Sequence, residues 1–176
     1  MNEPLARTRL RAARRPAALL LAAVLAAIAG CGFHLRGSRP VDIGVARAYV
    51  QSVNADLVAS ELRRLFVESG IALTGAPAGA GLIVQLSGER FERRVLSVDP
   101  ETGKVREFEL NYELRLDVRK PDGTPVISKE SVTLERDFTF DETAVLGKFE
   151  EQTLLEHELR IDAAETVLRR LEALKL

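Results

Sequence analysis

The run Glu107-Phe108-Glu109-Leu110-Asn111-Tyr112-Glu113-Leu114-Arg115-Leu116-Asp117-Val118-Arg119 alternates polar and apolar residues without a break. Successive side chains of an extended strand point to opposite faces, so this pattern predicts a strand with one dry face and one wet face. Pro121-Asp122-Gly123-Thr124-Pro125 then turns the chain back. From Val126 to Phe140 the alternation resumes, with Val132, Leu134, Phe138 and Phe140 on one side and Ile127, Lys129, Ser131, Thr133, Glu135 and Asp137 on the other. Upstream, Leu82, Val84 and Leu86 open a strand that Phe91 to Val98 carries on to the turn Asp99-Pro100-Glu101-Thr102-Gly103. Ser87-Gly88 is a candidate bulge within it. Amphipathic strands joined by tight turns predict an antiparallel meander.

Two helical patterns flank this meander. Asn54 is placed to cap a helix whose residues Val58, Leu62, Leu65, Phe66 and Ser69 recur in steps of three and four. Glu61, Arg63, Arg64 and Glu68 point away from that face, and Gly70 follows at C′. The valine- and tyrosine-containing run Val45 to Val53 precedes it as a first strand, and Gly75 to Gly81 reads as a loop. A C-terminal helix carries a main stripe of Leu154, Ile161, Ala164, Leu168 and Leu171, with Asp141 and Thr143 near its start as candidate caps. Leu155 and Leu159 fall outside that stripe; they either widen the buried face or meet a partner.

These faces are satisfied together by an α+β two-layer sandwich. A roughly four-stranded antiparallel or mixed sheet is covered on one face by two helices, in the order β-α-β-β-β-α, and its other face stays polar. Because the first strand reaches the second through a helix, those two strands are expected to lie parallel, joined by a crossover.

The segment before the domain has a different composition. Arg7, Arg9, Arg11, Arg14 and Arg15 precede thirteen uncharged residues from Ala17 to Ala29, the layout of a signal peptide spanning residues 1–30. A permanent span needs about 20 apolar residues, so this run predicts export and removal. Ile28-Ala29-Gly30-Cys31 has the form of a bacterial lipobox. Cys31 is the chain's one cysteine, so it has no partner for an internal disulfide and is the expected site of S-diacylglycerol and N-acyl attachment. Residues 31–44 are then a lipidated N-terminus and tether, and 45–176 a single domain.

Removing residues 1–30 leaves 20 basic and 25 acidic residues. An acidic domain argues against a nucleic-acid partner, whose affinity would come from neutralising phosphates. Any anionic ligand must then be held by a local basic cluster.

Catalysis is not expected. The histidines are His34, close to the lipid site, and His157, which falls within the arc of the last helix's apolar stripe and is read as packed or at its rim. There is no second cysteine for zinc, no phosphate-cradling loop followed by Lys-Ser/Thr and no nucleophile elbow, so no cofactor or metal is predicted. Glu107/Glu109 and Glu150/Glu151 read as solvated carboxylates. Lys104 and Arg106 beside the Gly103 turn, and Lys148 where the last helix begins, are candidate phosphate contacts if those two places lie at one end of the domain.

The run Cys31-Gly32-Phe33-His34-Leu35-Arg36 resembles the mature N-terminus of the LptE family of lipopolysaccharide-assembly lipoproteins, in which tryptophan also stands at the position of Phe33. Ala55 to Leu65 and Ala163 to Leu171 are similar to the family's two helices in pattern. The resemblance implies a lipoprotein on the periplasmic leaflet of a Gram-negative outer membrane, with Gly32 after the cysteine as the cue for outer-membrane transport. It further implies a one-to-one complex with the β-barrel LptD, in which the domain plugs and scaffolds the barrel and helps place lipopolysaccharide in the outer leaflet. The alternative is a free-standing outer-membrane lipoprotein that binds a soluble ligand or peptidoglycan.

Overall fold

The strand read from residues 107–119 is the fourth of a five-stranded sheet. In the computed structural model, residues 42–140 and 145–174 are described, with side chains of the last helix described from Glu150 onward. The elements are β1 (Arg47–Val53), α1 (Asp56–Glu68), β2 (Ala72–Leu73), β3 (Leu82–Val98), β4 (Val105–Arg119), β5 (Pro125–Thr139) and α2 (Val145–Leu174). The sheet order is β2-β1-β3-β4-β5. β1 lies parallel to β3, with Val50 opposite Val84, as the intervening helix predicts. β3, β4 and β5 form the antiparallel meander.

The expected order of long strands and helices holds, and β2 is an addition. This two-residue edge strand pairs parallel with β1 within the stretch between α1 and the glycine-rich loop. Two residues have no period, so sequence pattern cannot mark such a strand. The loop then returns close to β1: the Gly81 N–H donates to the Arg47 carbonyl at 2.8 Å. A Cβ at Gly81 would stand 3.3 Å from that oxygen and from Val45 Cβ, so the close approach favours glycine.

The core lies between the sheet and both helices. Leu110, Tyr112, Leu114, Leu116 and Val118 are all at most 1% exposed, so the dry face of the quoted run is real along its length from Leu110. Val58, Ala59, Leu62 and Phe66 of α1 meet the same core, as do Leu159, Ala163, Ala164, Val167, Leu168 and Leu171 of α2. Ile43, upstream of β1, also belongs to it at 1% exposure. The opposite sheet face carries Glu107, Glu109, Asn111, Glu113, Arg115, Asp117 and Arg119. Ile83, in register between Tyr49 and Arg119, is a buried apolar residue on that otherwise polar side.

Several local expectations are corrected. Asn54 does not cap α1: it sits in the left-handed region at φ 55°, Ala55 is the N-cap without a side-chain bond, and the Ala55 N–H donates to Ser52 Oγ at 3.3 Å. Gly70 does end the helix, at φ 80°, with the Ile71 N–H returning to the Phe66 carbonyl at 2.8 Å. Arg63 does not point away; its Nη2 donates to the Val50 carbonyl at 2.9 Å and ties α1 to β1.

On β5, Ile127 is inside, against the alternation read from Val132. Leu116 pairs with Glu130 but Val118 pairs with Ile127, so β5 holds one extra residue there. Lys129 takes it up at φ 51°, with its N–H donating to Asp117 Oδ1 at 2.9 Å. This bulge inverts the face on which later residues fall. The bulge expected at Ser87-Gly88 is present: the β3–β4 register shifts between Ser87 and Arg90, and Gly88 lies at φ 65°.

The face of α2 is corrected at Leu154, which is 56% exposed. Ala164, Leu168 and Leu171 of the expected stripe are buried, and Leu155, Leu159, Ala163 and Val167, in steps of four, widen that face. Asp141 and Thr143 lie outside the described residues. His157 is exposed, beside Glu150, Thr153 and Leu154 at an open groove, and does not pack into the core.

Candidate functional site

β3 and β4 together make the longest hairpin of the domain, 17 and 15 residues, which at about 3.3 Å per residue reaches roughly 50 Å. Its tip is built by Asp99. Oδ1 accepts the backbone N–H groups of Glu101 at 2.9 Å and Thr102 at 2.8 Å, and the Gly103 N–H donates to the Asp99 carbonyl at 2.8 Å. Arg106 adds two donations to Oδ2, one from Nε at 3.0 Å and a second from Nη2. The Thr102 amide foremost, then Arg106 and the Glu101 amide, hold the Asp99 carboxyl well below the usual carboxylate range.

The expected cations are thereby placed. Lys104 and Arg106 are at the tip, and both are exposed. Arg106 is paired with Asp99, and Lys104 has its own interaction within the chain. The Phe140 N–H donates to the Arg106 carbonyl at 2.8 Å, and α2 begins five residues later, so the first turn holding Lys148 belongs to the same end. The side chain of Lys148 lies outside the described residues, as do Cys31, Gly32, Phe33, His34, Leu35 and Arg36.

Sequence reasoning missed Arg93. The Gly88 bulge puts it on the helix side of β3, where its guanidinium sits 4.5 Å from the Phe108 ring centroid and Nη1 donates to Gln152 Oε1 of α2 at 3.3 Å. The signal was available: Arg90, Arg93 and Arg94 crowd one short stretch. Phe108 also stacks with Phe138 at 5.8 Å and edge-on with Phe140 at 5.2 Å.

One turn deeper, Glu89 accepts Arg160 Nε at 2.6 Å, with both side chains less than a fifth exposed. Arg160 lies over the Phe91 ring at 4.7 Å, and Phe91 meets Tyr112 at 4.9 Å. This cluster fastens the middle of α2 to the β3 bulge. The buried Tyr112 hydroxyl has no partner in strict hydrogen-bond geometry. Burial, then the nearby Glu89 charge, pushes its pKa far up.

The polar sheet face is internally paired: Arg90 to Glu113 at 2.5 Å, Ser97 Oγ to Glu107 at 2.7 Å and Asn111 to Glu109 at 2.6 Å. Among the described residues no group of three acidic, histidine or cysteine side chains could hold a metal, and no helix is long and apolar enough to cross a membrane.

A mixed sheet with two helices on one face and a far-reaching hairpin defines a class of small lipoprotein domains. The solution structure of uncharacterized lipoprotein B from Nitrosomonas europaea matches with a TM-score of 0.69 at 26% identity, over 81% of this chain and 91% of that one. The crystal structure of the rare lipoprotein B from Shewanella oneidensis matches with a TM-score of 0.64 at 25% identity, over 72% and 94%. The LPS-assembly lipoprotein LptE of Photorhabdus laumondii is 27% identical over 155 residues, 87% of this chain and 83% of that protein. The profile of the LptE family, lipopolysaccharide-assembly, matches residues 45–171. The chain belongs to the LptE family.

Proposed function

We propose that the mature chain is an outer-membrane lipoprotein anchored in the periplasmic leaflet through acyl groups on Cys31. It occupies the β-barrel LptD one to one as plug and scaffold, assists the barrel's assembly, and binds lipopolysaccharide and helps insert it into the outer leaflet. The observation that carries this reading is the family match across residues 45–171, which takes in every strand and nearly all of α2. The helix-free sheet face, polar and internally paired, suits a water-lined lumen. Lys104, Arg106 and Lys148, gathered at one end, are the candidate phosphate contacts. Each acyl CH₂ buried contributes about 0.8 kcal/mol, so more than one chain on Cys31 makes the anchor durable. The work is contact and scaffolding, without a covalent step.

The test is to extract the outer membrane in mild detergent, capture a tagged form of the chain and measure what accompanies it. A large barrel at one to one is the expected result. Recovery of the lipoprotein alone, while other outer-membrane complexes stay intact, overturns the reading in favour of a free-standing binding domain.

A further inference from the structure

We propose that the outer edge of β5 from Thr133 to Thr139 is a strand-addition site for an extended segment of a partner protein with basic residues at alternate positions. The site is independent of how the chain is anchored and of any barrel around it.

β5 ends the sheet, with β4 as its one strand neighbour. Two bonds fix which of its main-chain groups turn outward. The Phe140 N–H donates to the Arg106 carbonyl next to β4 at 2.8 Å, so even-numbered residues face β4. Ser131, of the opposite parity, faces away, and Arg170 of α2 donates to its carbonyl at 3.2 Å. The register with β4 is unbroken from Ser131 to Thr139, and main-chain direction alternates along an antiparallel strand. Thr133, Glu135, Asp137 and Thr139 therefore present their N–H and C=O groups outward, and all four residues are exposed. This open edge is roughly 23 Å long.

The rest of the sheet's margin is guarded. On the base half of the same edge stand Pro125, the Lys129 bulge and the Arg170 bond. On the opposite edge the Thr74 N–H takes the Ala48 carbonyl, and Arg63 takes the next outward one, Val50. Such devices keep edges from pairing with other chains. From Thr133 to Thr139 only charge remains.

That charge selects the occupant. Glu135 and Asp137 lie on the helix-free face, and Glu109 of β4 stands directly opposite Asp137. Arg94, across from Glu109, pairs with Glu92 at 3.2 Å, and among the described residues none of the other three carboxylates forms an ion pair. A second copy adding through its own β5, about a two-fold at Arg136, would set Glu135 of each copy against Asp137 of the other. Like charges facing across a ladder repel, so self-pairing is disfavoured. A strand with lysine or arginine at every second position supplies the missing counter-charges. Its other face would meet half-buried Leu134, and Arg136 there is already paired with Asp162 of α2 at 2.6 Å, so apolar residues fit between the cations.

The test adds a short peptide of alternating lysine and valine to the mature full-length chain in detergent, with a glutamate-for-lysine counterpart as control, and follows amide exchange by NMR. The lysine peptide is expected to slow exchange at least about tenfold at Thr133, Glu135, Asp137 and Thr139, leaving the even-numbered amides between them as they were. The glutamate peptide should protect none of them. Binding without this alternate protection overturns the inference, as does equal protection by both peptides. A stable dimer that protects the same amides without peptide overturns it in favour of a second copy. Glu135→Pro removes one outward N–H and no bond to β4, so it should abolish the protection while the melting temperature holds; retained protection overturns the inference. If that variant fails to fold, the exposed double substitution Glu135→Lys and Asp137→Lys replaces it. Protection should then come from the glutamate peptide, and an unchanged preference for lysine overturns the inference.

Discussion

The base of the domain and its hairpin tip are made from the same two strands, with the same alternation, and differ in what covers them. At the base, Val84, Leu86, Leu116 and Val118 are buried in the core to which both helices contribute. At the tip, Val95, opposite Phe108, occupies the same side of the same strands and is 54% exposed. The polar side chains differ correspondingly. Glu89 and Arg160, where α2 meets the sheet, are both largely enclosed, while the Arg106 side chain that pairs with Asp99 at the tip is 63% exposed. An apolar residue on a strand is therefore a potential core residue only; a second layer makes it one. Where the second layer is missing, the same pattern leaves apolar side chains facing solvent.

Core truncation is the strongest way to break this comparison. Leu62→Ala, at a fully buried site of α1, should cost about 3–5 kcal/mol, while Val98→Ala should cost under about 0.5 kcal/mol, both read by denaturant unfolding. A comparable loss at both positions would mean that the tip is packed in solution.

Deleting Lys129 should come next, at about 2–4 kcal/mol. Without the extra residue, β5 cannot keep Ile127 and Val132 on the same side, and one of them must leave the core. Retained stability with unchanged chemical shifts at both residues would remove the parity argument.

Tyr112→Phe sharpens the comparison from the opposite direction. The hydroxyl is buried without a partner, so removing it should leave stability unchanged or raise it by up to about 1 kcal/mol. A clear loss would show that the hydroxyl is satisfied in solution, with the nearby Glu89 as its acceptor.

The smallest effect belongs to the tip. The Asp99 carboxyl has a pKa lowered in the folded state, so its contribution is fully present above the unfolded value of about 4. That contribution is lost as pH falls from there through the lower folded value. Amide exchange at Glu101 and Thr102, corrected for intrinsic rates, should report loosening only in that acid range and none from pH 5 to 8. Loosening near neutrality would point to another group.

Most of the framework was legible in the sequence. The alternation of Phe108 to Val118, the glycines that close the turns, Gly70 behind α1 and the Gly88 bulge each rest on local backbone geometry. The candidate site was legible in part. Lys104 and Arg106 were visible beside a turn, but nothing local could reveal that Arg106 is committed to Asp99 or that Arg93 turns toward Phe108 and α2. Those facts depend on the parity set by Gly88 and on a helix sixty residues away.

The sequence by itself determined the strands, the two helices and their order, because periods of 2 and 3.6 are properties of a single segment's backbone. Tertiary structure decided the rest. Lys129 bulges and brings Ile127 inside because β5 must stay in register with β4. Leu159 is buried and Leu154 exposed because the sheet and α1 select which side of α2 is covered. β2 exists because β1 has an edge to pair with. Each of these depends on a neighbour brought close only by folding, and no local period encodes it.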